Sequence, residues 1–209
     1  MSRNLRIALG TATAISALVL SSTTVAQAAT AQTANATAPG RSLSSIRPAA
    51  VTPDTPIGPV QISNAYHLGY CLNARGYNQQ LDIDDCSRQS AWWTITPLTP
   101  IDSRGGVWAQ ISDHNFGYCM DAQDNATGSP NTNGDHVNSW PCDGAAQQRW
   151  YLWPLGGGTW MIVSGFNTNK VLDARTSGSW NPSVIGDPIQ VWDHLGTIQQ
   201  SWEFFGPGA

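Results

Sequence analysis

The sequence has little of what builds helices or binds nucleic acid. Glu203 is its only glutamate and Lys170 its only lysine, while charged residues of all kinds make up 11% of the 209 residues. Because Gly, Asn, Asp, Thr and Trp are abundant instead, the composition predicts an all-β fold of short strands joined by turns. The formal net charge is −4 and the arginines are scattered. We therefore expect no nucleic-acid binding, which requires clustered cations.

Long apolar runs are also missing, apart from one near the amino terminus. Residues 7–20 form this run, after Arg3 and Arg6 and before small residues that end at Ala28. This order predicts a secretory signal peptide over residues 1–28, cleaved after Ala28. An uncleaved anchor is the alternative, but the run is shorter than the ~20 residues that span a bilayer. We expect a secreted protein without membrane insertion.

The remaining chain divides into a leader and one domain. Residues 29–56 are mostly Ala, Thr, Ser and Pro, and such a segment buries too little apolar surface to offset its ordering entropy. We predict a disordered leader there. Residues 57–209, about 150 residues, have the size of a single domain with its own core.

Motifs of common enzymes are absent as well. The sequence contains no Gly-x-Ser-x-Gly, no His-Glu-x-x-His and no phosphate loop. Asp82, Asp84 and Asp85 can hold a cation or act as an acid pair, but a solvated turn before Cys86 is the simpler interpretation. The four histidines lack metal-ligand spacing. We expect no catalysis, no cofactor and no metal.

What the sequence does contain is a repeat of about 50 residues, present three times. The pattern of residues 105–122 reappears at 157–174, and the first copy opens with the same pattern at 59–74. The offset of 52 residues also maps two tryptophans of the second copy onto the third, Trp140 onto Trp192 and Trp150 onto Trp202. A fixed period of this length predicts a symmetric architecture built from three copies.

The repeat selects among the three disulfide pairings that four cysteines allow. The first two copies each hold two cysteines, whereas the third has Val171 and His194 at both positions. Paired loss indicates a bond within each copy. Free thiols or a metal site are the alternative, but no Cys-x-x-Cys spacing is present and export favours oxidation. We predict two disulfides, Cys71–Cys86 and Cys119–Cys142.

Two tryptophans share a predicted strand face with an amide. The alternation of residues 189–192 places Gln190 and Trp192 on the face opposite the core, and Asn138 and Trp140 repeat the arrangement in the second copy. The first copy has Asp84 in the position of the tryptophan. The alternative is that each tryptophan is a partly buried core residue.

Aspartates at matched positions add a possible polar partner for each tryptophan. Asp121 and Asp173 follow the same motif in the second and third copies, where the first copy has Asn73. An exposed indole beside a carboxylate and an amide suits a sugar, because a pyranose offers an apolar C–H face and several hydroxyls. The alternative is that each aspartate caps its own turn.

Three motifs recur in register, and together they carry a family resemblance. They are Cys-x-Asp-Ala, an aromatic residue two positions before the second half-cystine, and a terminal Gln-x-Trp. Over about residues 57–206 the sequence resembles the ricin B-chain lectin repeat of β-trefoil proteins. The resemblance implies a pseudo-threefold barrel with four strands per copy. It also implies that one tryptophan per copy is structural, namely Trp93, Trp150 and Trp202.

The resemblance further implies carbohydrate sites in the second and third copies. Their carboxylate, aromatic and amide positions fall on Asp121, Asn138, Trp140, Gln147 and Gln148, and on Asp173, Gln190, Trp192, Gln199 and Gln200. Gln147 and Gln199 stand where the family often has Asn, so galactose-type and xylose-type glycans or polysaccharides both stay open. The first copy has Ser90 and Ala91 before Trp93, and we expect its site to be inactive.

The function that these observations predict is that of a secreted, non-enzymatic lectin with two weak sites acting together by avidity. A protease inhibitor or other protein-binding β-trefoil is the alternative. The matched Asp and Trp positions argue against it, because an inhibitory loop gains nothing from being duplicated. The sequence leaves the oligomeric state open.

Overall fold

The computed structural model describes residues 51–66, 69–123, 132–175 and 185–207, in which all regular structure is strand apart from three short 3₁₀ turns. The predicted signal peptide and most of the predicted leader lie outside these residues. The all-β fold is confirmed. The twelve strands are β1 (Ile57–Asn64), β2 (Tyr70–Asn73), β3 (Asp82–Asp85), β4 (Trp92–Pro97), β5 (Val107–Asp113), β6 (Cys119–Ala122), β7 (Val137–Trp140), β8 (Trp150–Gly156), β9 (Thr159–Ser164), β10 (Lys170–Ala174), β11 (Ile189–Asp193) and β12 (Trp202–Phe205).

Six of the strands close into an antiparallel barrel. Around the barrel the pairs are β1 with β4, β4 with β5, β5 with β8, β8 with β9, β9 with β12 and β12 with β1. Each copy contributes its first and fourth strands to this ring. Closure leaves no free edge among these six strands, which is how a barrel avoids edge-to-edge association.

The other six strands form three hairpins, β2–β3, β6–β7 and β10–β11. Each hairpin is attached to the barrel through the first strand of its own copy. Isolated bridges then join each hairpin to the next, through Gln80 and Asn138, His136 and Gln190, and Asp82 and Pro188. The hairpins therefore form a triangular cap with the pseudo-threefold symmetry of a β-trefoil.

The core contains the tryptophans of the Gln-x-Trp positions. Trp93, Trp150 and Trp202 have no exposed surface. Each indole Nε1 donates a hydrogen bond to a backbone carbonyl of the second strand of its copy, at Leu72 (2.9 Å), Met120 (2.9 Å) and Leu172 (3.2 Å). A buried indole N–H needs such a partner. The structural role of these three tryptophans is confirmed.

Both predicted disulfides are present. Cys71 is bonded to Cys86 and Cys119 to Cys142, and each bond ties the second strand of a copy to the segment that follows its third strand. In the third copy Val171 fills the cysteine position and is 1% exposed. The hairpin of that copy is thus held by its strand pairing and packing without a covalent link.

The segment just before the first strand already contacts the domain. Val51 packs against the core cluster, and the backbone N–H of Asp54 donates to the carbonyl of Pro97 over 2.8 Å. Residues 51–56, which we assigned to the leader, thus lie along the barrel. No helix among the described residues is long and apolar enough to cross a membrane.

The contrast between Trp150 and Trp140 gives a first prediction. Trp150→Ala should lower the free energy of unfolding by about 3–5 kcal/mol, because it leaves a cavity in the core and removes a hydrogen bond to Met120. Trp140→Ala, at a partly exposed position, should cost clearly less. Urea denaturation followed by circular dichroism measures both. Equal losses for the two variants would contradict the assignment of Trp150 to the core and Trp140 to the surface.

Candidate functional site

The hairpin registers bring the predicted site residues of each copy together. In the second copy, Asp121 on β6 lies opposite Asn138 on β7, and Trp140 follows two residues later on the same face. In the third copy, Asp173 on β10 lies opposite Gln190 on β11, again with Trp192 two residues later. Because strand side chains alternate between faces, each hairpin presents carboxylate, amide and indole on one side.

The second copy has a small pocket at this point. It has a volume of about 200 Å³, and its lining residues are Asp121, Gln123, Asn138, Trp140 and Gln147. This is smaller than the roughly 300–1,000 Å³ of pockets for drug-sized ligands. The pocket thus suits a ligand of the size of one sugar ring. We call it the repeat-two pocket.

The third copy has a wider, more open counterpart, which we call the repeat-three pocket. Its volume is about 520 Å³. Four of the predicted residues take part in its lining, which consists of Gly134, Asp173, Arg175, Gln190, Trp192, Leu195 and Gln199. The exposed Arg175 stands where the repeat-two pocket has Gln123, so the two pockets differ in charge.

One predicted residue per copy lies behind the pocket and does not line it. Gln148 has no exposed surface, and its Nε2 donates to Asp121 Oδ2 over 3.0 Å and to the carbonyl of Pro141 over 2.9 Å. Its Oε1 accepts from the backbone N–H of Asp143 over 2.9 Å. Gln148 is therefore a positioning residue that fixes the carboxylate, which differs from the direct contact that the resemblance implied.

Gln200 repeats these contacts in the third copy. It is 2% exposed, and its Nε2 donates to Asp173 Oδ2 over 3.0 Å and to the carbonyl of Asp193 over 2.8 Å. The N–H of Leu195 donates to its Oε1 over 2.9 Å. The glutamine of Gln-x-Trp thus joins three segments of its copy: the second strand, the end of the third strand and the following turn.

The two pockets differ in how the facing amide is used. In the third copy, Gln190 Nε2 donates to Asp173 Oδ1 over 2.9 Å. In the second copy, Asn138 has one methylene fewer, and its Nδ2 donates instead to Gln123 Oε1 over 2.9 Å. The side chain facing the carboxylate therefore orients it directly in the third copy only.

Burial raises the pKa of the third-copy aspartate. Asp173 is 4% exposed, and desolvation raises the pKa of its carboxyl above the ordinary value, opposed by the hydrogen bonds from Gln190 and Gln200. The aspartate does not cap a turn, the alternative that the sequence left open. It lies within β10, and its two oxygens accept bonds from side chains of its own copy.

The indoles are neither sealed inside nor fully exposed. Trp140 and Trp192 are both partly exposed, and each lines its pocket. By comparison, the Gln-x-Trp indoles are completely buried. The alternation of the third strand thus placed Trp140 and Trp192 away from the core correctly, and each pocket-lining ring keeps some surface available to a ligand.

In the first copy the corresponding space contains an ion-pair network. The guanidinium of Arg75 binds the carboxylate of Asp82 and also donates to Asp84 Oδ2 over 3.1 Å, while Arg88 Nε lies 3.5 Å from the same oxygen. Asp84 is only 2% exposed, so it does not belong to a solvated turn as we expected. Asp82 and Asp84 are neutralised by protein cations, and the described residues contain no cluster of ligands that could hold a metal.

Sequence reasoning missed the residue that follows Ala in the Asp-Ala motif, which is Asn-Ala in the first copy. It is Arg75 in the first copy, Gln123 in the second and Arg175 in the third. This residue fills the first site and lines the other two pockets. Its position directly after the second strand, on the pocket side, was the signal that could have identified it.

Comparison with known proteins agrees with this architecture. Residues 93–192 match the family described as ricin-type beta-trefoil lectin domain-like. Over these residues the chain is similar to ricin-type β-trefoil lectin domains, which confirms the resemblance read from the repeats. No curated protein matches the sequence.

Solved structures share the fold at low sequence identity. A designed threefold-symmetric protein, ThreeFoil, has a TM-score of 0.58 at 16% identity, over 70% of this chain and 96% of that one. Polyporus squamosus lectin, solved with a sialylated epitope, has a TM-score of 0.54 at 16% identity, over 73% and 49%. An exo-β-1,3-galactanase from Clostridium thermocellum has a TM-score of 0.55 at 22% identity, over 70% and 29%. This chain therefore aligns with about half of the lectin and less than a third of the galactanase.

The role of Gln200 can be tested through the pKa of Asp173. Gln200→Leu removes a hydrogen bond that stabilises the ionised carboxylate, so the pKa of Asp173 should rise further. Carbon-detected NMR titration of the aspartate carboxyls measures the change. Gln199→Leu, at the neighbouring pocket-lining position, is the control and should shift this pKa less. An unchanged or lower pKa in Gln200→Leu would contradict the positioning role.

Proposed function

We propose that the protein is a carbohydrate-binding lectin that uses the repeat-two and repeat-three pockets together. The observation that carries the proposal is their shared construction. In each pocket a partly exposed indole and a carboxylate fixed by a buried glutamine lie on one hairpin face. The lectin-like domain supports glycan binding in general, and the geometry supports these two positions in particular.

The chemistry of the pockets fits a sugar ring. An ionised carboxylate has about four lone-pair positions, and Asp173 uses two of its own for Gln190 and Gln200. The remaining acceptor capacity can receive hydroxyl protons of a sugar, while the indole packs against the C–H face of the ring. Because the carboxylate is already oriented by the protein, less ordering entropy is lost on binding.

We propose that each pocket binds weakly and that the pair gains strength by avidity. A shallow site for one sugar typically has a millimolar dissociation constant, about −4 kcal/mol. The two pockets belong to hairpins related by the pseudo-threefold axis, so they face different directions on one rigid body. A polysaccharide or a glycan-coated surface can engage both, with galactose-type and xylose-type glycans as our candidate ligands.

We propose binding without catalysis. Hydrolysis of a glycosidic bond generally uses two carboxylates that flank the bond. Asp121 and Asp173 belong to different pockets, and each is tied by amides of its own copy. The two disulfides are consistent with an extracellular location, and we propose that residues 1–28 direct export.

The main test removes the indoles one at a time. Trp140→Ala and Trp192→Ala should each weaken retention on a galactan or xylan affinity gel, and the double variant should abolish it, because each change removes one stacking surface. Glycan-array binding measured alongside identifies the sugar. Circular dichroism melts verify that the variants are folded.

The competing function has a distinct outcome. If the double variant is retained like the wild type and the wild type inhibits a protease, the protein is a protein-binding β-trefoil and the lectin proposal is wrong. Trp160→Phe, a change outside both pockets, is the matched control and should leave retention unaltered.

The raised pKa of Asp173 predicts a pH dependence for the repeat-three pocket. Sugar binding uses the ionised carboxylate as an acceptor, so affinity should fall as the pH is lowered through this pKa. Since the pKa is raised, the loss begins at a higher pH than for an ordinary aspartate, whose value is 3.8. Trp140→Ala isolates the repeat-three pocket, and sugar titration between about pH 7 and pH 4 measures its affinity.

The control for the pH dependence is Asp173→Asn in the same background. This variant lacks the titrating group, so its residual binding should not change with pH over that range. Binding by Trp140→Ala that is equally strong across the range would contradict the role of Asp173.

A further inference from the structure

Four aromatic rings form a continuous row that starts at the repeat-two pocket. The rings of Trp140 and Tyr77 are stacked, with centroids 5.2 Å apart and planes inclined by 29°. Tyr77 is 5.9 Å from Tyr118, and Tyr118 is 6.2 Å from Phe116. We call Trp140, Tyr77, Tyr118 and Phe116 the aromatic ridge.

Much of the ridge is exposed, and all of its rings except Trp140 lie outside the pocket. Tyr77 is 54% and Phe116 61% exposed, and neither lines the repeat-two pocket. Exposed aromatic clusters of this kind are unusual on a soluble protein and commonly mark a binding surface. Only Trp140 belongs to both the pocket and the ridge, so the ridge extends from the pocket outward.

The ridge is held rigidly by contacts between two repeats. Tyr77 belongs to the first copy, and the residues that follow it are hydrogen-bonded to β7 of the second. Asn78 N–H donates to the carbonyl of Ser139 over 2.8 Å, and Ser139 N–H donates to the carbonyl of Gln79 over 3.0 Å. A stacking surface fixed in this way loses little conformational entropy when a ligand binds.

The third copy has the same backbone arrangement without the aromatic rings. Gly134 takes the place of Asn78, with its N–H donating to the carbonyl of Val191 over 3.0 Å, and both residues have a positive φ. Asn133 therefore replaces Tyr77, and the 52-residue offset places Lys170 at Tyr118 and Thr168 at Phe116.

These replacements form a polar contact where the ridge has an aromatic one. Lys170 Nζ donates to Asn133 Oδ1 over 2.7 Å and to Asp193 Oδ1 over 2.6 Å. Among the described residues, no ring stacks on Trp192. The third copy is thus a natural control for the second, because the position of the indole is preserved while the residues at the three other ridge positions are not aromatic.

We propose that the aromatic ridge is a further carbohydrate-binding surface that receives the sugar units beyond the one in the repeat-two pocket. The second copy then binds a glycan chain along its length, whereas the third copy binds single units. The proposal rests on the lectin function proposed above. Continuity through Trp140 favours a glycan chain as the occupant, since a chain seated in the pocket must continue across an adjacent surface.

The experiment compares a monosaccharide with a linear hexasaccharide of the same sugar, using both the xylose and the β-galactose series. Trp192→Ala isolates the second copy and Trp140→Ala isolates the third. For each background, calorimetry gives the ratio of the monosaccharide Kd to the hexasaccharide Kd. A hexasaccharide offers six sugar units to one pocket, which lowers its apparent Kd even without any extra contact. The ratio in the third copy measures this statistical effect alone.

The ratio in the second copy should exceed that in the third by about twofold to tenfold, the range of one or two aromatic contacts. In the Trp192→Ala background, Tyr77→Asn and Phe116→Ala should each reduce this excess, whereas Tyr77→Phe should retain it. Two rings separate Phe116 from Trp140 in the aromatic ridge, so Phe116→Ala tests the far end of the ridge without removing a direct neighbour of the pocket indole.

The outcomes separate this inference from the proposed function. If the wild type binds neither sugar series, the lectin proposal fails. If sugars bind but the two backgrounds give equal ratios, the ridge proposal is overturned and the lectin proposal stands. An excess that survives both Tyr77→Asn and Phe116→Ala also overturns the ridge proposal, provided that thermal melts show both variants folded.

Discussion

Backbone hydrogen bonds between neighbouring hairpins of the cap bring a turn of one copy to the site of the next. Leu81 N–H donates to the carbonyl of Val137 over 2.8 Å, and Ile189 N–H donates to the carbonyl of Leu81 over 2.9 Å. These bonds place a turn of one copy beside the third strand of the next, so Tyr77 of the first copy stacks on Trp140 and Gly134 of the second copy lines the repeat-three pocket. A substitution in such a turn therefore alters the site of the neighbouring copy. The packing of the core that all three copies share stays the same.

The core requires the same residue types at equivalent positions of all three copies, whereas the residues that line the sites differ between copies. Each copy must supply one buried indole whose N–H bonds to its own second strand, and all three copies do. The residue after the Asp-Ala or Asn-Ala motif faces the pocket side and contributes nothing to that core. Arg75, Gln123 and Arg175 occupy this position. The three sites accordingly hold an ion-pair network, a small pocket lined by a carboxylate without a cation, and an open pocket lined by a carboxylate and a cation.

The repeat in the sequence was sufficient to predict three copies and both disulfides, because these features are fixed by residues that recur at a constant offset. The β-trefoil and the buried tryptophans followed from the family resemblance that the repeated motifs carry. The sequence also placed Asn138 and Trp140 on one face, since alternation along a strand is a local property. It did not distinguish Gln148 as a residue behind the pocket, nor find Tyr77 or Gln123. The place of Tyr77 depends on which turn of the preceding copy reaches β7, which the spacing of a single copy does not encode. The burial of Gln148 depends on contacts between separate segments of its copy, whereas Gln123 could have been found from its position directly after the second strand.

The first copy shows how a site can be lost while its fold is retained. An unpaired carboxylate at Asp84, 2% exposed, would be costly, and Arg75 and Arg88 neutralise it. The same guanidinium binds Asp82, which stands at the amide position of the other copies, so one side chain occupies the space that a ligand would need. Replacing Arg75 alone would leave a buried charge and no indole, so it would not create a sugar site. Under the proposed function, carbohydrate binding uses the indole and an oriented, accessible carboxylate together, and among the described residues the second and third copies have both.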